Sequence, residues 1–95
     1  MAKAVRAAEA LALEQIPNIG PALARDLRMI GITAPRQLKR RRALNLYRDL
    51  CIAKGARKDP CVLDTFIAAV DFMNGGAPAP WFSFTAARKR RHPDL

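Results

Sequence analysis

An all-α fold of five helices is what this 95-residue chain predicts, on three observations. Apolar residues recur at the spacing of one helix face: Leu23, Ala24, Leu27 and Ile30, then Leu46, Tyr47, Leu50 and Cys51, then Val62, Phe66, Ala69 and Met73. Prolines stand where a first helical turn tolerates them, at Pro21, Pro35 and Pro60. Glycine, or asparagine followed by glycine, closes the same stretches at Gly31, Gly55 and Asn74-Gly75-Gly76. With 51% apolar residues the chain can fill a core. A chain this short buries roughly 60–65% of its unfolded surface. One compact domain over residues 1–85 is therefore expected, followed by a basic, mobile tail at 86–95.

The elements follow in order. Alanine-rich residues 4–15 favour a first helix, with Lys3, Arg6, Glu9 and Glu14 as solvated charges. Ile16-Pro17-Asn18-Ile19-Gly20-Pro21 is a tight apolar turn. Pro17 cannot continue a helix, and Asn18 ranks next to glycine in tolerance of left-handed angles. A second helix covers 21–30, and Thr33 caps a short third helix at 34–39, anchored by Leu38. The fourth spans 43–54, with Tyr47 in the core and its hydroxyl near the surface. Asp59 caps the fifth, 60–73, which is apolar over much of its circumference and leaves Asp64, Ala68 and Asp71 as a narrow polar strip. That profile makes it the central core helix. Beyond the extended Pro78-Ala79-Pro80, the segment Trp81-Phe82-Ser83-Phe84 is predicted to fold back and cap the core. Base stacking by Trp81 and an exposed partner-binding patch are the alternatives.

The turn at 16–21 has a chemical use. The first N–H groups of a helix lack intrahelical partners and carry the positive end of its dipole, so they suit a phosphate oxygen. Gly20 leaves room for a nucleic-acid backbone to approach. The pattern resembles the helix-hairpin-helix motif, whose hydrophobic-Gly-hydrophobic-Gly turn docks on phosphates without reading sequence. The match covers residues 13–30, with Ala24 at the small position where two helices cross. Asn18 stands where the pattern has its first glycine. The candidate phosphate contacts are the backbone at Asn18, Ile19, Gly20 and Ala22, with Arg25 one turn further on.

Charge points the same way. The net charge of +9 is uneven: residues 35–58 hold nine bases and one acid, whereas residues 59–82 hold three acids and no base. The run Lys39-Arg40-Arg41-Arg42 is the densest, and it extends the candidate contacts if the fold brings it beside the turn. Cys51 and Cys61 make neither a disulfide framework nor, without histidine neighbours, a metal site. One histidine, one serine and scattered acids assemble no catalytic constellation, so the expectation is a non-enzyme without cofactors. With no apolar run near ~20 residues and no cleavage pattern at the amino terminus, a cytoplasmic protein off the membrane is expected.

By the fifth helix a wider resemblance has accumulated. The hairpin, Leu-Arg-x-x-Gly-Ile at 27–32, Leu-Tyr-Arg-Asp-Leu-Cys at 46–51, Asp-Pro-Cys-Val-Leu at 59–63 and Trp81 together resemble one bacterial family over residues 13–85. It is the pathogenicity-locus, or mitomycin-resistance, family of small helix-hairpin-helix proteins. The resemblance implies a double helix-hairpin-helix (SAM-like) fold. Here the second hairpin is degenerate, since Ala53-Lys54-Gly55-Ala56 lacks paired glycines.

Two functions compete. The first is sequence-independent binding of nucleic acid, double-stranded DNA being preferred, through the hairpin amides and basic patch. The second is a protein-interaction or scaffold domain, or a homodimer, in which the hairpin no longer binds DNA and Trp81, Phe82 and Phe84 supply the anchor.

Overall fold

Alanine favours helix, yet the alanine-rich residues 4–15 do not form one. The computed structural model describes residues 2–95, and Met1, which the expected domain included, lies outside them. Instead of a helix there are two 3-10 turns, Ala7–Glu9 and Leu13–Gln15, joined by extended backbone. The reason is local side-chain competition. Glu9 Oε1 accepts the N–H groups of Val5 and Arg6, and Gln15 Oε1 accepts those of Leu11 and Ala12. The Leu11 and Ala12 donors are thereby withdrawn from any helix continuing past Glu9, whereas those of Val5 and Arg6 would lack intrahelical acceptors in any case. The Ala4 N–H donates to Gln15 O at 2.8 Å, which folds the segment back on itself. Ala4, Ala10, Leu13 and Ile16 are all buried by this arrangement. Burial of these four side chains overrides propensity.

Four α-helices follow among the described residues: α1 (Pro21–Met29), α2 (Ala43–Lys54), α3 (Pro60–Met73) and α4 (Thr85–Arg91). The expected third helix is a single 3-10 turn, Pro35–Leu38, built like the earlier two: Gln37 Oε1 accepts the N–H groups of Thr33 and Ala34. A further 3-10 turn, Trp81–Phe84, leads directly into α4. The fold is therefore all-helical, with four helices where five were expected.

Helix α3 is the centre, packed against α2, α4 and the Trp81–Phe84 turn, and its Leu63, Phe66, Ala69, Phe72 and Met73 lie in the core. Asp59 caps it, accepting the Cys61 N–H at 2.9 Å. At its other end glycine is required: a Cβ on Gly76 would stand 2.1 Å from Asp71 Oδ2 and 2.9 Å from the Asp71 carbonyl oxygen. Tyr47 is buried as expected, and its hydroxyl donates to the Lys58 carbonyl. Ala24 is fully buried, but what packs on α1 from the amino-terminal side is the Leu13–Gln15 turn, not a crossing helix.

Two sequence expectations for the rest of the chain are corrected together. The sequence predicts a narrow polar strip at Asp64, Ala68 and Asp71, of which only Asp71 is exposed, and a mobile tail at 86–95. Helix α4 instead lies on α3, and Arg88, only 6% exposed, makes a two-pronged ion pair with the fully buried Asp64 at 2.8 and 3.1 Å. Thr85 Oγ1 donates to the same carboxylate at 2.8 Å. The remaining tail is tied down as well, since Arg57 Nη2 donates to Asp94 O and Leu95 packs against the core. The radius of gyration, 12.3 Å, is what a compact fold of this length has.

Three carboxylates make the fold sensitive to acid. Arg28 holds the Glu14 carboxyl below the usual glutamate range, the Val5 and Arg6 N–H groups do the same for Glu9, and the Cys61 N–H for Asp59. Depressed folded values mean that the unfolded chain binds protons first. The stabilisation is thus complete above the ordinary carboxylate range and is lost as pH falls through the lower folded values. The thermal midpoint, followed by circular dichroism, is expected to stay level near neutrality and drop below about pH 4.5. A Glu9→Gln, Asp59→Asn chain keeps its amide acceptors and should show a shallower drop.

Candidate nucleic-acid interface

The turn between Leu13–Gln15 and α1 has the backbone its residues demand. Asn18 takes φ 73°, a left-handed conformation, and Gly20 is the N-cap of α1 at φ −89°, ψ −176°. Those Gly20 angles are open to any residue. What glycine provides is space, for a Cβ there would meet nothing within 4 Å. Helix α1 has no side-chain cap. The N–H of Ala24 is taken by Gly20 O, but those of Gly20, Ala22 and Leu23 have no acceptor among the described residues. Pro21 has no N–H to satisfy. The start of α1 is thus a small cluster of free donors at the positive end of a helix, facing solvent at the exposed Ala22.

The predicted contacts divide. Gly20 and Ala22 present free amides, and Arg25 is exposed one turn along without an ion-pair partner among the described residues. Ile19 differs from these: its side chain is fully buried and its N–H donates to Ile16 O at 3.1 Å. Asn18 keeps its backbone position, but its side chain points back into the protein. Its Nδ2 donates to Ala79 O at 2.8 Å, and its Oδ1 accepts the Trp81 N–H at 3.2 Å. The carboxamide thus does not crowd the approach to the turn; it pins the carboxy-terminal segment beside it.

Lys39, Arg40, Arg41 and Arg42 are all exposed and make no ion pair among the described residues. The run leads into the start of α2, with Arg42 as its N-cap and no capping side chain. Cations are disfavoured at that end of a helix dipole, so the cluster repels both itself and the helix it precedes. An anion would relieve both. Arg40 is held at φ 60°, its N–H donating to Asn74 Oδ1 at 3.1 Å. Residues 74–79 thus form a strap whose start is bonded to the basic run and whose end is bonded to Asn18. Five residue steps reach at most about 18 Å. A duplex presents about ten phosphates over such a length.

Sequence reasoning missed one contributor. Lys3 is no idle surface charge, because its ammonium donates to the carbonyls of Glu14, Ile16 and Ile19 at 2.7, 3.2 and 2.6 Å. All three of its donors are used, which fixes a positive charge behind the turn. Burial pushes its pKa down, while the Glu14 charge pulls it up. Glu14 itself is neutralised by Arg28 at 2.9 Å. No local sequence signal marks a lysine that will reach carbonyls 11 to 16 residues away.

No group of three or more potential metal-ligating side chains occurs among the described residues, and none of their helices is long and apolar enough to cross a membrane. Comparison with known proteins gives a family. The model of the pathogenicity-locus family matches residues 6–90. The mitomycin resistance protein McrB of Streptomyces lavendulae is 42% identical over 78 residues, which cover 82% of this chain and 74% of that protein. No solved structure matches.

Proposed function

The chain belongs to the pathogenicity-locus family, and from that premise we propose that it binds double-stranded DNA without reading sequence and without catalysis. One observation carries the reading: the uncapped, solvent-facing start of α1 above Gly20, whose free amides suit phosphate oxygens. Arg25 and the Lys39-Arg40-Arg41-Arg42 run supply the surrounding positive charge, and Lys3 supports the turn from behind. In this reading the turn is a divergent helix-hairpin-helix element in which the leading helix has shrunk to a 3-10 turn. The loop between α2 and α3, closed by Gly55, is the degenerate second hairpin. The name of the Streptomyces lavendulae relative adds resistance to mitomycin as the setting in which such binding would serve this chain too.

Binding held by phosphate contacts is steep in salt, because each neutralised phosphate releases counterions. Fluorescence anisotropy of a labelled duplex over a salt series is expected to give a slope of log K against log salt of about −3 to −5, corresponding to about four or five phosphates. A flat series, or affinities that depend on duplex sequence, would overturn the reading. A protein-interaction domain is the second reading, favoured by the exposure of Trp81 and Phe82.

A further inference from the structure

We propose that Trp81 and Phe82 form a base-contacting edge beside the turn, so that the preferred target is DNA carrying unpaired bases, such as a fork, rather than intact duplex. This rests on the DNA-binding reading above. Trp81 is 36% exposed and Phe82 63% exposed, although the next aromatic of the same 3-10 turn, Phe84, is half-buried. The pair is not a loose apolar end. Its rings meet edge to face with centroids 5.8 Å apart, so each braces the other. The turn below them is closed by the Ser83 N–H and the Ser83 hydroxyl, both donating to Pro80 O at 3.0 and 2.7 Å. Its other side packs on α3.

Position decides what such a pair would meet. The Trp81 N–H is hydrogen-bonded to the Asn18 side chain, two residues before Gly20. The backbone of the aromatic segment is therefore tethered to the turn that leads into α1. A strand whose phosphates sit on the free amides of α1 runs past the segment that carries the rings. In an intact duplex the faces of the bases are covered by their neighbours, and the rings gain little. A base already out of the stack offers an open π-face, and stacking it on an aromatic ring favours the complex with little regard to sequence. Charge argues against an acidic or apolar protein as the better match. Arg25 is exposed one turn into the helix that the tethered turn opens, and the strap ending beside Asn18 starts at the exposed Lys39-Arg40-Arg41-Arg42 run; the ligand combining a polyanion with flat apolar faces is nucleic acid with exposed bases.

Trp81 is the chain's only tryptophan and reports directly on its surroundings. The test compares a forked duplex bearing single-stranded arms with a fully paired duplex of equal length, by anisotropy and by Trp81 emission. The fork is expected to bind at least about fivefold tighter and to quench Trp81 more strongly. Phe82→Ala, at an exposed position, should weaken fork binding by about fivefold or more and leave binding of the paired duplex unchanged. Equal affinity for the two DNAs in wild type, with no difference in quenching, would overturn this proposal and leave the duplex-binding reading standing. Failure of both DNAs to bind would overturn the two together. A self-associated wild-type species lost in Phe82→Ala, with both DNA affinities unmoved, would assign the edge to a protein contact and also overturn the proposal.

Discussion

Replacing Arg88 with alanine is expected to cost about 3–5 kcal/mol of stability. Asp64 is fully buried and takes three hydrogen bonds, two from the Arg88 guanidinium and one from Thr85. Without Arg88 its carboxylate would remain in the core with only a hydroxyl to balance it. Desolvation of an unpaired charge then dominates. For a domain of this size each kcal/mol moves the thermal midpoint by about 4–8 °C, so the loss should exceed about 12 °C in a calorimetric or circular-dichroism melt. A second variant separates the unpaired charge from the contacts of α4. Asp64→Leu combined with Arg88→Met removes both charges while keeping apolar bulk, and it should recover most of the loss. An Arg88→Ala chain that melts like wild type would mean that the pair does not hold α4 in place.

Gly20→Asp should separate binding from folding. The backbone angles at Gly20 suit any residue, and a Cβ there meets nothing within 4 Å. Aspartate is among the best N-cap residues, and α1 lacks a side-chain cap. The variant should therefore be as stable as wild type, or more stable by about 0.5–1 kcal/mol. The same carboxylate would accept the free amides and stand where a phosphate oxygen would sit. Duplex affinity is expected to fall at least about tenfold, which corresponds to about 1.4 kcal/mol. If the variant binds as wild type does, the phosphates are held elsewhere, and the basic residues act as a diffuse polycation.

Much of this molecule is legible from neighbouring residues alone. The faces and ends of α1, α2 and α3, the cap at Asp59, the left-handed Asn18 and the open turn at Gly20 all depend on contacts within about one helical turn. Chain-local physics governs such features: proline removes a donor, glycine relieves crowding, and an acid caps a helix. The three glutamate and glutamine acceptors at Glu9, Gln15 and Gln37 were local too. At residues 4–15 they outweigh alanine's helix propensity.

The roles of the polar groups could not be settled that way. Whether Asp64 faces water or protein depends on Arg88, 24 residues later, and whether the Asn18 side chain obstructs the turn depends on Ala79, 61 residues later. Lys3 changes from a surface charge to the support of the turn because three carbonyls converge on it. The sequence by itself determined the helical class, the starts and stops of α1, α2 and α3, and a candidate phosphate turn in a chain with a dense basic run. Only the tertiary structure decided which charges are buried, which side chains hold the turn and which aromatic rings remain outside. The physical reason is that a backbone preference is fixed within a few residues, whereas the free energy of a charge or a polar group depends on what is packed over it.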